Sequence, residues 1–194
     1  MLRALLAALA LSSLFTSGAS AQSAPPAQTA APTAEMQYTA ALGRGLTAIS
    51  SGDRAGAITA FRAAVQLDPA RPDAVCLLAS AQRAEGDLPA ALEGFQACIR
   101  VARATQSRDA QRWVGRGLHG VASTLERMGT ERQAEARTAW QEYVRFADGA
   151  TQVATPAIGR ARITVIDQVV ELERVTVEVR QRIAARQAQS SAPR

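Results

Sequence analysis

The 194-residue chain has no lysine and no asparagine, one histidine, two cysteines and an aromatic content of only 4%. Each shortage closes off a class of chemistry. Three Cys and His residues in total cannot build a structural zinc centre of the usual four ligands, so no metal ligand is assigned. His119 follows Leu118 near Trp113 on an expected helix, where an imidazole reads as a packing or surface residue rather than a general base. Glu171, Glu173 and Glu178 share a charged segment with Arg174 and Arg180 and read as solvated side chains rather than an acid pair. Neither a glycine-rich phosphate loop nor a nucleophile motif is present. The chain is therefore read as non-enzymatic, with no catalytic residue and no cofactor.

All 22 basic residues are arginine, set against 17 acidic ones, for a net charge of +5. The arginines are scattered along the whole chain, which points to compositional bias. A nucleic-acid surface needs basic residues gathered on one face with stacking aromatics. The densest cluster, Arg100, Arg103, Arg108, Arg112 and Arg116, includes only Trp113 and reads as a solvated helix face. No nucleic-acid partner is expected.

Long apolar runs are also missing. Met1-Leu2-Arg3 is a short basic start, and Ala4–Leu14 an apolar stretch of 11 residues broken by Ser12-Ser13. That is shorter than the roughly 18 residues that a membrane span requires. With Ala19-Ser20-Ala21 as a small-residue cleavage pattern, residues 1–21 read as a signal peptide cut after Ala21. The expected location is periplasmic or secreted, with no membrane span after removal. No cysteine lies near the cut, which argues against lipid attachment there. Residues 22–34, rich in Ala, Pro, Gln, Ser and Thr, read as a flexible linker.

What the chain does have is a period. Gly45, Gly52, Asp53, Ala57, Phe61 and Ala64 are answered 34 residues later by Ala79, Gly86, Asp87, Ala91, Phe95 and Cys98. A fixed period of this length marks stacked repeats, each burying its apolar face against its neighbours. In the first unit, small and aliphatic residues from Ala41 to Ile49 recur at helical spacing and Ser51-Gly52-Asp53 supplies a stop. A second helix carries Ala57, Ile58, Phe61, Ala64 and Val65 and ends at Asp68-Pro69. The next pair spans Asp73–Glu85 and a helix opening near Pro89. Small residues at Gly45, Ala79, Ala57 and Ala91 let helices approach, and Phe61 and Phe95 fill the space between hairpins.

These residues resemble the tetratricopeptide repeat, whose pattern places a small residue on the first helix, a small–aromatic–small series on the second and a proline at the close. Gly45, Ala57, Phe61, Ala64 and Pro69 match it in the first unit, and Ala79, Ala91, Phe95 and Cys98 in the second. Arg103 stands in place of the second closing proline, and the first helix lacks the family's usual large aromatic. A third, irregular unit keeps the spacing with Ala122, Gly129, Ala136, Trp140 and Tyr143, but its turn is two residues longer and Tyr143 replaces a small residue.

The expected architecture is all-α: about three hairpins over residues 35–147, a linker at 148–155, a long helix at 156–188 and a disordered tail at 189–194. The last helix carries a four-three seam of Ile158, Val165, Val169, Leu172, Val179 and Ile183, interrupted by Arg162 and Thr176. Val175, Val177 and Val179 alternate as a strand would, but no turn signal falls between Ile163 and Ile183, which favours helix. Such a seam can form a coiled coil and make the chain a self-assembling homo-oligomer. It can also fold back to cap the last hairpin, the reading favoured by aliphatic residues off the seam.

By resemblance, the first helices line a groove that holds an extended peptide or partner helix, so the chain is expected to be an interaction scaffold for a protein or peptide of unknown identity. Carried over by position, the groove includes Thr39, Leu42, Leu46 and Ile49, then Asp73, Cys76, Ser80 and Arg83. Its partly apolar character points to a hydrophobic or helical ligand. One subfamily clamps a terminal carboxylate with Lys and Asn; this chain has neither. Cys76 and Cys98 lie at similar height on adjacent antiparallel helices, and in an exported protein such a pair can oxidise. The resemblance instead makes Cys98 a packing residue and turns Cys76 toward the groove; both readings stand at this point.

Overall fold

The computed structural model describes residues 32–105 and 107–190. The expected signal peptide, most of the linker and the last four residues lie outside them. Among the described residues seven α-helices follow one another: α1 (Ala34–Ser50), α2 (Arg54–Leu67), α3 (Pro72–Glu85), α4 (Leu88–Ala104), α5 (Ala110–Arg127), α6 (Gln133–Gly149) and α7 (Pro156–Ser190). Each packs on its chain neighbours, and α3 also touches α5. Consecutive pairs form three stacked hairpins, with α7 laid against the last. The valine-rich stretch that alternates like a strand is helical throughout. Residues 189 and 190, expected in a disordered tail, continue α7, and α6 runs two residues into the expected 148–155 linker.

The turns follow from Gly-Asp chemistry. Gly52 and Gly86 have φ of 80° and 102°, which a residue with a Cβ adopts only at a cost. The aspartates behind them cap the next helices: Asp53 Oδ1 accepts from Gly56 N at 2.8 Å, and Asp87 Oδ1 from Ala90 N at 3.2 Å, satisfying otherwise orphaned donors. In the third turn Gly129 has φ 118°, and the two extra residues are taken up by a 3-10 turn, Thr130–Arg132, before α6. Where Pro69 closes the first unit, α2 stops at Leu67; where Arg103 replaces that proline, α4 continues to Ala104. A proline removes both the N–H and the α conformation before it, and without one the helix gains most of a turn.

The core is built largely from alanine and a few rings. Phe61 of α2 is buried against Ala57 and Ala81, with Leu77 and Leu78 of α3 on one side and Gly45 of α1 on the other. Phe95 of α4 sits likewise between Ala79 of α3 and Gly120 of α5. Trp140 and Tyr143 of α6 anchor the third contact, where Gly159, Ile163 and Ile166 of α7 come in. The first helix carries one buried aromatic, Tyr38, seven residues before Gly45 and 1% exposed; it packs on Ala41, Ala64 and Ala74. Its hydroxyl donates to Asp73 Oδ1 at 2.5 Å, and Arg71 lies 4.0 Å over its ring while pairing with Glu35 and Asp73. Burial, then the Asp73 bond and charge, push the Tyr38 phenol well above its ordinary range. Leu46 and Ile49, placed on the apolar stripe of α1, are 50% and 45% exposed.

Cys76 of α3 and Cys98 of α4 form a disulfide with a Cα–Cα distance of 5.2 Å. Both are fully buried, with Val75 beside them and Trp113 of α5 packed against them. The bridge therefore ties the two helices of the second hairpin beneath the third.

Two stability outcomes are expected. Gly120→Ala places a methyl group in the Phe95 ring and should cost about 1–3 kcal/mol, whereas Gly43→Ala, with open space around it, should gain up to about 1 kcal/mol of helix propensity; urea unfolding distinguishes them by sign. The Cys76→Ala/Cys98→Ala pair should lose about 3 kcal/mol by the loop-entropy account, read as a lower midpoint with helical circular dichroism retained.

Candidate functional site

The sequence of α5 contains two interleaved stripes. Gly117 and Gly120 face α4, where a Cβ on Gly117 would come 2.6 Å from the Ile99 side chain and one on Gly120 would overlap the Phe95 ring. Their missing side chains draw α5 down onto α4. Arg112, Arg116, His119, Ser123 and Arg127 recur every three or four residues, a spacing that keeps them on one face of a helix. That face meets the Ser80 and Arg83 stripe of α3. Arg83 Nη1 donates to Ser123 Oγ, Arg127 Nη1 donates to the Arg83 carbonyl at 2.9 Å, and Arg116 Nη2 reaches Ser80 Oγ at 3.5 Å.

Between the stripes lies a cleft of about 350 Å³, lined by Ser80, Arg83, Arg112, Arg116, His119 and Tyr143, with Val153 and Ala154 from the α6–α7 connection on its wall. Among the described residues no Asp or Glu lines it. The Arg83 guanidinium sits 5.2 Å over the Phe95 ring and that of Arg116 5.8 Å over Trp113, so flat aromatic faces hold both groups in place. His119 meets the rings of Trp140 and Tyr143 edge-on, at centroid distances of 5.2 and 5.7 Å. Tyr143 is fixed from behind by Thr155, whose N–H donates to its hydroxyl at 3.2 Å.

The cleft has accumulated positive charge without a counter-ion. Burial, then Arg127 and Arg116, lower the Arg83 pKa; burial, then Arg112, lower that of Arg116. Burial, then Arg83 and Arg116, hold His119 below its ordinary value, so the imidazole is neutral at pH 7. The sign for stability follows: as pH falls through the unfolded value of about 6.5, the unfolded chain takes up a proton that the folded one resists, and stability drops. All three shifts oppose positive charge, and all would relax if an anion entered. The arrangement is suited to holding a carboxylate or phosphate through charge-assisted hydrogen bonds.

Of the residues assigned to the groove from the sequence, Ser80 and Arg83 line this cleft. Thr39, Leu46 and Ile49 are exposed on α1, and Leu42 is half-buried, packed against the Tyr38 and Phe61 clusters. Asp73 is engaged by Tyr38 and Arg71, and Cys76 is closed in the disulfide. Arg112 and Arg116 are exposed, as the reading of a solvated face expects, and they also line the cleft; Arg100, Arg103 and Arg108 are exposed without lining it. His119 does pack, as its setting suggested, but it also faces the cleft. The signal for it was in the chain: Ala122 stands where Ala79 does, and the same displacement carries Cys76 and Ser80 onto His119 and Ser123.

No protein-family model and no curated protein matches the chain. Among solved structures, the TPR domain of Sgt2 from Aspergillus fumigatus superposes with a TM-score of 0.56 at 17% identity, over 74% of this chain and 84% of that one. The MamA protein gives a TM-score of 0.34 at 15% identity, over 77% of this chain and 94% of that one. With three stacked helical hairpins, each turning at a positive-φ glycine, and the Sgt2 superposition, this chain is a helical-repeat protein of tetratricopeptide-like fold.

Proposed function

We propose that the chain is a non-enzymatic interaction scaffold, exported to the periplasm or cell envelope, whose cleft between α3 and α5 grips an acidic side chain or terminus of a peptide segment. The observation that carries this reading is the convergence of Arg83, Arg112, Arg116 and His119 on one cleft that, among the described residues, no carboxylate lines. Arg83, Arg112 and Arg116 make no ion pair among the described residues, unlike Arg137 with Asp167 and Arg160 with Asp148, and uncompensated charge gathered in a concavity is a mark of binding sites. The exposed Leu46 and Ile49 of α1 occupy the repeat positions equivalent to Ser80 and Arg83. A segment lying along the first helices would therefore set apolar residues on α1 and its acidic group over α5. The basic cleft adds an acidic group to the hydrophobic or helical ligand expected from the sequence, making it amphipathic. Export is supported by the reading of residues 1–21 and by the Cys76–Cys98 bridge, which suits an oxidising compartment.

Titration by fluorescence anisotropy with a Glu-rich peptide carrying two leucines, against the same peptide with Gln for Glu, tests the reading. The acidic peptide should bind, with affinity that falls as salt rises, and Arg112→Gln and Arg116→Gln should each weaken it roughly tenfold; equal binding of the Gln peptide would contradict the reading. The His119 titration followed by NMR supplies a second check. Its midpoint in the free chain should lie below about 6.5 and should rise when the acidic peptide saturates the cleft, because a nearby carboxylate favours imidazolium. A midpoint unmoved by bound peptide places the ligand elsewhere.

A further inference from the structure

The 35 residues of α7 divide into a docked half and a free half. Gly159, Ile163 and Ile166 settle on α6, and ion pairs from Arg162 to Glu126 and from Arg137 to Asp167 pin the helix on either side. Beyond Val170 no described residue of α7 is buried. Yet this free half is not polar: Leu172, Val175, Val179 and Ile183 are 66%, 41%, 46% and 51% exposed. At 3.6 residues per turn they share, with Val165, a stripe roughly 140° around the helix from the docked face. Capping, favoured on sequence, therefore describes only the first half, and it uses Ile163 and Ile166 while leaving the four-three seam outward.

The charges beside that seam are segregated. Residues 167–178 hold Asp167, Glu171, Glu173 and Glu178 against the single Arg174, whereas residues 180–186 hold Arg180, Arg182 and Arg186 with no acid. Glu171 and Glu178 pair with Arg174 within the helix. Glu173 and Arg180, which flank the seam on its other side, make no ion pair among the described residues. An in-register parallel pair of such helices sets Glu173 across from Gln168 and Arg180 across from Val175, with no opposite charge to meet either. An antiparallel pair crossing near residue 177 supplies that charge. It puts Glu173 beside Arg180 of a second copy and Glu171 near its Arg182, with Leu172 over its Ile183 and Thr176 over its Val179. The two-fold symmetry of such an interface makes every one of these contacts twice. Because the seam points away from α6, the two repeat bodies fall on opposite sides of the helix pair.

We propose that the outward seam of α7 is covered by α7 of a second copy in antiparallel orientation, making the chain a homodimer with a repeat body at each end. Glu173 and Arg180 set the direction of the pair.

Sedimentation of the full chain over a wide concentration range, together with Glu173→Arg and Arg180→Glu variants, tests this. The parent chain should dimerise. Each variant alone places like charges together at two symmetric sites and should weaken the dimer roughly tenfold. An equimolar mixture of the two should recover the parent affinity, because every 173–180 contact between unlike chains is again opposite in charge. Neither residue packs on the repeats, so the thermal unfolding of both variants should match the parent. A parent chain that stays monomeric throughout, including one that adsorbs through α7 to anionic lipid vesicles, overturns the proposal. So do variants that dimerise as tightly as the parent, which is what a parallel pair predicts because residues 173 and 180 face no charge across it.

Discussion

The contact on which the rest of this structure depends is an aromatic ring seated where a side chain is missing or reduced to a methyl group. Phe61 rests on Gly45, Phe95 on Gly120, and Tyr143, with Val144, on Gly159. Each ring stands where three helices meet, so one small residue sets the spacing of a hairpin and the approach of the next helix at once. Ala57, Ala64, Ala79, Ala91 and Ala136, all fully buried, extend the same close approach along the stack. An alanine-rich core buries little area per residue, and its stability rests on the density of contacts that close helices permit.

The same constraint builds the cleft. Because Gly117 and Gly120 bring α5 down onto α4, the neighbouring face of α5 is presented at a fixed height beside α3, with Arg112, Arg116 and His119 lining the cleft. The disulfide below, held under Trp113, stiffens the hairpin that supplies Ser80 and Arg83. Positive groups gathered in this way oppose one another and cost the empty protein stability, visible as downward shifts at Arg83, Arg116 and His119. A binding site can hold such strain where a structural surface has no reason to, since the ligand relieves it.

Much of the architecture could be read from the chain because it is written in short-range chemistry. Gly-Asp turns, proline boundaries and the Gly45–Phe61 spacing act within a few residues or one period, and each produced the expected element. Tyr38 was missed because its role is long-range: besides Ala41 on its own helix, it is covered by Ala64 and Ala74 from helices that come later. Leu46 and Ile49 were put in the apolar stripe by periodicity, which cannot tell a face buried by a neighbouring hairpin from one that opens on the groove. The cleft was half legible. Ser80 and Arg83 followed from repeat position, whereas Arg112 and Arg116 were hidden by an arginine-rich background in which no single arginine stands out. What separates them from Arg100 and Arg103 is the direction they point on α5 and α4, fixed by buried glycines whose partners lie on another helix.

The central claim is that the inward face of α5, with α3, is where a partner's acidic group is held. Arginine side-chain Nε–Hε resonances followed by NMR during addition of an acidic peptide address it most directly. The account predicts that Arg83, Arg112 and Arg116 shift together and saturably, while Arg100, Arg103 and Arg108 stay in place. Shifts confined to the arginines outside the cleft, or spread evenly over all of them, would contradict it.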